Sequence, residues 1–206
     1  MRSLNYQKTY FFNSYSRISD MPLKSSIEIA FAGYSNSGKS SAINVLTNQK
    51  KLARASKTPG RTQLINFFEV VSGFRIVDLP GYGYAKAALE MKNKWQKTVY
   101  FYLSQRKFLK GLVLLMDIRC PIKILDEKII NMMIKNNIPI LILLTKCDKV
   151  TFTYQQIQLR KVYEKLKTSL YFFKIELFSS TKKIGVKQLM LQINNWYFFN
   201  YITDFK

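Results

Sequence analysis

The chain has 206 residues, 48% of them hydrophobic, with 33 Lys and Arg against 12 Asp and Glu, two cysteines and no histidine. Its length suits one α/β domain. Cys120 and Cys147 without any histidine exclude a zinc site and a disulfide framework, and the longest apolar runs, residues 112–116 and 138–144, are too short to cross a bilayer.

The opening Met1-Arg2-Ser3-Leu4-Asn5-Tyr6 has no apolar signal-peptide core, so a cytoplasmic, reducing setting without membrane attachment is expected. The net charge of +21 favours a polyanionic partner, RNA or DNA first. Lysine-rich codon usage in an AT-biased genome is the competing explanation. It accounts for the lysines but not for the scarcity of acidic residues.

In chain order, residues 1–25 are polar and aromatic without a clear period and read as an N-terminal arm, packed on or trailing from a main domain at 26–206. Residues 27–32 form an apolar run that reads as a buried strand, and residues 41–46 read as a helix start. Between them lies Gly33-Tyr34-Ser35-Asn36-Ser37-Gly38-Lys39-Ser40, a complete G-x-x-x-x-G-K-[ST] phosphate loop in the strand–loop–helix setting such a loop requires. Its glycines let successive N–H groups point inward, and the following helix adds partial positive charge. Lys39 can reach the β- and γ-phosphates, and the Ser40 hydroxyl can bind Mg²⁺.

The turn-prone segment Lys57-Thr58-Pro59-Gly60-Arg61-Thr62-Gln63 follows, where the first switch of a GTPase lies. Thr62 is the expected second hydroxyl ligand of Mg²⁺. Thr58 is the rival, but a residue before proline is biased to an extended backbone. Residues 64–71 read as a strand and Ser72-Gly73 as a tight turn into a strand at 74–79. At its end, Asp78-Leu79-Pro80-Gly81 places a carboxylate where it can hold Mg²⁺ through water, and a glycine where it can offer its N–H to a γ-phosphate.

Residues 85–107 read as a long helix ended by Gly111, 112–117 as a strand, 122–136 as a helix and 138–145 as a strand. That strand ends in Thr145-Lys146-Cys147-Asp148, a T/N-K-x-D motif. A carboxylate there accepts from guanine N1–H and N2–H₂, an edge adenine does not present, while the Lys146 stem covers the base. Residues 153–169 read as a helix, 174–178 as a strand and 186–201 as a final helix. Phe178-Ser179-Ser180 follows the last strand, where backbone and hydroxyls can meet guanine O6. The alternation predicts an α/β fold, a doubly wound, mostly parallel six-stranded sheet with one antiparallel edge strand and helices on both faces.

Together these segments resemble the EngB/YsxC (YihA) GTPases, relatives of Era, over about residues 27–196. The stretches Thr58–Phe67 and Asp78–Tyr84 are the most diagnostic. The resemblance implies a guanine-nucleotide pocket built from residues 33–40, Gly60, Arg61, Thr62, Gln63 and Leu64, residues 78–81, residues 145–148 and residues 178–180. Lys39, Thr62 and Gly81 would be catalytic, and Ser40 and Thr62 would ligate Mg²⁺. It also implies a monomeric GTPase acting on the large ribosomal subunit precursor, its rRNA and proteins, and needed for normal cell division and septation.

The chain departs from the family at Tyr34, Cys120 and Cys147, the last placing a soft, oxidisable group near the base. Tyr82 stands where many GTPases carry a water-orienting glutamine, so slow unaided hydrolysis of GTP to GDP is expected. Several Era-like GTPases with asparagine at the Asn36 position bind K⁺ beside the phosphates. The plain alternative is that Asn36 tolerates an unusual backbone. A constitutive RNA-binding module with a vestigial nucleotide site and a small-molecule kinase are the other classes considered. Intact Lys39, Ser40, Asp78 and Asp148 count against the first, and the guanine motif counts against the second.

Overall fold

The computed structural model describes residues 4–22, 26–53, 64–83, 98–167 and 173–204. Seven strands, β1 (Tyr10–Tyr15), β2 (Ile27–Gly33), β3 (Ile65–Val71), β4 (Phe74–Asp78), β5 (Leu109–Asp117), β6 (Ile140–Thr145) and β7 (Phe173–Phe178), form one sheet in the order β1-β3-β4-β2-β5-β6-β7. β3 is antiparallel to both its neighbours, and every other pairing is parallel. The helices are α1 (Lys39–Thr47), α2, whose described turns cover residues 98–105, α3 (Ile124–Lys135), α4 (Phe152–Leu166) and α5 (Val186–Asp204).

The α/β class and the single antiparallel strand agree with expectation, but the count and the edge are corrected. Among the described residues there are seven strands, not six, and the antiparallel strand lies second from the edge. Part of the expected N-terminal arm is itself the edge strand, with Tyr10 opposite Glu69 and Tyr15 opposite Ile65. All six residues of β1 stay exposed or half-buried, so its sequence lacks the apolar alternation that marks a strand packed on a core.

The central strands are buried on both faces, as parallel strands between helical layers must be. Along β2, Ala30 and Ala32 face one core with Val99 and Tyr102 of α2 and Ile130 and Met133 of α3. Ile29 and Phe31 face the other, with Ile43 of α1 and Leu189, Ile193 and Trp196 of α5. Gly111 does not end a helix. It lies inside β5, where a Cβ would sit 2.4 Å from the Trp196 ring, so the α5 indole packs directly on strand backbone. Among the described residues, the first core holds a buried ion pair. Glu28 on β2 accepts from Arg106 at 2.6 and 2.9 Å, from the Tyr102 hydroxyl at 2.8 Å and from Ser26 at 3.2 Å. Such a pair is tolerated because its oxygens are satisfied.

α3 starts two residues later than expected because Ile122 has φ 51° and Lys123 is extended. It stops where Asn137 turns left-handed, at φ 55°. β6 therefore begins at Ile140. The order around β2, with β4 on one side and β5 on the other, makes the carboxyl ends of these strands a topological switch point, where α/β sheets bind ligands.

Candidate nucleotide site

Three chain segments meet at that switch point. The phosphate loop leaves β2 at Gly33, whose added Cβ would lie 2.5 Å from the Leu115 carbonyl oxygen and 2.5 Å from Ser37 Oγ. Asn36 at φ 66° and Gly38 at φ 95° are left-handed. Glycine takes this conformation without strain, and asparagine is among the non-glycine types that accept it most readily. Gly38 is also the N-cap of α1, so Lys39 and Ser40 occupy its first turn. Lys39 Nζ donates to Asp78 Oδ1 at 2.5 Å. The lysine and the strand-end carboxylate, 39 residues apart, thus sit together at the loop mouth.

The chain after Asp78 is laced to the loop. Ser35 N–H donates to the Tyr82 carbonyl at 2.7 Å and Tyr82 N–H to the Gly33 carbonyl at 3.3 Å. Gly81 lies so close that a Cβ would stand 3.2 Å from Ser35 Cα. Leu79 and Tyr82 are core residues, and Pro80 is buried, so Leu79 and Pro80 shape the backbone of this segment. The Tyr82 hydroxyl donates to Asp126 Oδ1 at 2.7 Å, and Asp126 also accepts from Lys123 N–H at 3.0 Å at the start of α3. Burial pushes the Tyr82 phenol well up, and the Asp126 charge adds to the effect. Tyr82 therefore anchors this segment to α3, with its side chain 2% exposed. Tyr34 stacks edge-on against it with centroids 4.7 Å apart, and Lys123 Nζ lies 4.6 Å from the Tyr34 ring centre.

The base end is held by side-chain bonds. Thr145 Oγ1 donates to the Ser37 carbonyl at 2.7 Å, tying β6 to the phosphate loop. Lys146 is left-handed, at φ 59°, and its Nζ lies 3.0 Å from Asp117 Oδ2. Asp148 Oδ1 accepts from Ser179 Oγ at 2.6 Å. That bond holds the Asp148 carboxyl below the usual carboxylate range, so it stays an acceptor at neutral pH. Ser179 is buried, and its Oγ accepts from Lys182 N–H at 3.1 Å, which leads the chain on past Ser180.

One expectation is corrected here. Cys147 puts no thiol near the base: its side chain is fully buried in the core below β6, and burial pushes its pKa up. Phe178 is likewise a core residue, 1% exposed, so only backbone at these positions is available to a nucleotide. Gly60, Arg61, Thr62 and Gln63, with the rival Thr58, lie outside the described residues, and Leu64 is half-buried just before β3.

One participant escaped sequence reasoning. Asp117, at the end of β5, accepts from Arg119 Nε at 2.9 Å and its NH2 at 2.6 Å while holding Lys146. Burial pushes its carboxyl up, but the Arg119 and Lys146 hydrogen bonds outweigh that and hold it well below the carboxylate range. The signal was present: a carboxylate ending a buried parallel strand, as Asp78 ends β4.

A glycine-turned phosphate loop with its lysine beside a strand-end aspartate, and a threonine–lysine–x–aspartate strand end locked by a serine, define a P-loop GTPase. Residues 28–146 match the family model described as 50S ribosome-binding GTPase. Over 194 residues, 94% of this chain and 96% of the relative, the chain is 66% identical to a probable GTP-binding protein EngB of Buchnera aphidicola subsp. Schizaphis graminum. It is 53% identical over 197 residues, 96% of this chain and 94% of the relative, to that of Salmonella paratyphi C. A crystal structure of a probable GTP-binding protein EngB superposes with a TM-score of 0.66 at 26% identity, covering 82% of this chain and 97% of that one. Translation elongation factor SelB of Methanococcus maripaludis, at 18% identity and a TM-score of 0.60 over 84% of this chain and 34% of its own, shares the fold alone. The chain belongs to the EngB family of GTP-binding proteins and hydrolyses GTP. Among the described residues, no helix is long and apolar enough to cross a membrane.

Proposed function

We propose that the protein is a GTP-driven switch in assembly of the large ribosomal subunit, with its effect on cell division and septation following from ribosome supply. The observation that carries this reading is the lacing of Gly81 and Tyr82 to the phosphate loop through Ser35 and Gly33. A γ-phosphate contacting the Gly81 N–H acts on a segment whose next residue is bonded through Asp126 to α3. Loss of that phosphate on hydrolysis releases it. The description of the matching family and the charge of +21 support a ribosomal precursor, rich in RNA phosphate, as the partner.

The donor set suits magnesium: hard oxygens of the Ser40 hydroxyl, the Thr62 hydroxyl and, through water, Asp78, whose carboxylate is at the loop mouth beside Lys39. Magnesium, when bound, neutralises charge building between the phosphates. Lys39 and the loop N–H groups orient the phosphates and stabilise charge there. Tyr82 is buried and engaged by Asp126, so it does not orient water and intrinsic hydrolysis is slow. K⁺ held by Asn36 would offset charge in the same region. The φ of 66° gives Asn36 a backbone role as well, and comparing rates in K⁺ and Na⁺ for Asn36→Ala separates the two.

The test is co-sedimentation with large-subunit particles in GDP and in a non-hydrolysable GTP analogue. Binding in the analogue alone is expected. Equal binding in both, or none in either, refutes the switch.

A further inference from the structure

The edge of the sheet formed by β1 carries a cluster of exposed aromatic side chains. Among the described residues, β1 pairs only with β3, and three consecutive aromatics stand on it, Tyr10 at 53%, Phe11 at 52% and Phe12 at 37% exposure. Proteins ordinarily blunt such an edge with charge or proline. Phe11 is braced edge-on by Phe68 at 6.0 Å. Beside it opens a groove of about 820 Å³ lined by Phe11, Lys50, Lys51, Leu52, Asn66 and Phe68. Lys50 and Lys51 are exposed, and no acidic residue is among the described residues of the lining. The wall is fixed from within: Gln49 donates to the carbonyls of Gln7 and Thr9 at 3.1 and 2.7 Å, joining the turn after α1 to the chain entering β1.

We propose that this groove docks single-stranded RNA, with a base stacked on Phe11 and the neighbouring phosphates on Lys50 and Lys51. This rests on the ribosomal reading above and gives it a contact face. Aromatic faces beside cations are how proteins hold unpaired strands without reading sequence. The nearest acidic side chain on the strand pair, Glu69, is already taken up by Arg75 at 3.0 Å and the Tyr10 hydroxyl at 2.9 Å, so it does not repel a phosphate. An added protein strand is the other occupant an open edge invites. The bulge between Phe11 and Asn13 breaks the regular ladder it would need, and the two lysines favour a polyanion.

The test uses the full chain with a non-hydrolysable GTP analogue bound and a labelled single-stranded RNA of about 12 nucleotides, with affinity measured across salt concentrations. Phe11→Ala should weaken binding about tenfold with the salt slope unchanged. Lys50→Ala with Lys51→Ala should lower the slope of log K against log salt by about 1.4, roughly 0.7 for each phosphate no longer neutralised. Both variants should bind GDP as wild type does, which shows that they fold. If both bind RNA like wild type while wild type still sediments with large-subunit particles, the groove is wrong and the ribosomal reading stands. If wild type binds no RNA but the variants lose the particles, a protein strand occupies the edge and the proposal fails. If wild type binds neither RNA nor particles, both readings fall.

Discussion

The two ends of the nucleotide site are built on opposite terms. At the base end each recognition group is already held by the protein: Thr145 by Ser37, Lys146 by Asp117, Asp148 by Ser179. At the phosphate end Lys39 and Asp78 are held by each other. Under the proposed function, phosphates and magnesium would have to take these two partners apart, whereas guanine would meet groups set in place. Selection of the base would then be preorganised, and the cost and consequence of binding would concentrate at the phosphate end. The comparison gives five expectations.

The largest effect belongs to Lys39. Lys39→Ala should weaken GTP and GDP alike by about 3 kcal/mol, near the top of the range for charged hydrogen bonds, read by fluorescent nucleotide titration. Asp78→Ala should behave otherwise. In magnesium-free buffer it should bind GDP at least as tightly as wild type, because Lys39 is released, and its gain from added magnesium should shrink. A loss in chelator matching that of Lys39→Ala would remove the idea of competition.

Next comes the base end. Asp148→Asn should cost about 1–3 kcal/mol for guanine nucleotides and gain xanthine nucleotides, since an amide can donate where the carboxylate only accepts. Retained GDP affinity with no gain for xanthosine diphosphate would contradict the assignment.

Gly81→Ala is smaller and selective. Its Cβ would press on Ser35 Cα at 3.2 Å and Ser35 N at 3.3 Å, so GTP should lose about 1 kcal/mol while GDP changes little. Calorimetry with both nucleotides measures the split, and equal losses would place the strain elsewhere.

The smallest effect is a shift in pH dependence. The Ser179 hydrogen bond depresses the Asp148 pKa, so its contribution is intact above the ordinary carboxylate value of about 4 and is lost only as pH falls through the lowered one. Ser179→Ala should move the onset of GDP loss to higher pH. Identical wild-type and variant profiles would show that the serine does not tune the carboxylate.

The same contrast explains what the sequence made legible. Gly33 to Ser40, Asp78 and Thr145 to Asp148 are contiguous and sit at strand ends, where residue type and position declare the chemistry. Their meeting in space follows from the alternation of strands and helices. What stayed hidden depends on contacts between distant segments. β1 gains its place by pairing with β3, whose Glu69 lies opposite Tyr10. Gly111 looked like a helix stop until Trp196 packed on it. Cys147 shares a motif with Asp148, yet its side chain points into the core, because the chain turns through a 3-10 helix at Cys147–Lys149. Tyr82 was legible as a missing glutamine but not as an anchor, since Asp126 is 44 residues away.

Hydrogen exchange at the two ends tests the central contrast most directly. Backbone amides of residues 78–83 and of 145–148 would be followed in the GDP-bound protein and in the protein bound to a non-hydrolysable GTP analogue with magnesium. The account predicts greater protection at 78–83 in the analogue and unchanged protection at 145–148. Equal protection at 78–83 in both nucleotides, or a change confined to 145–148, would contradict it.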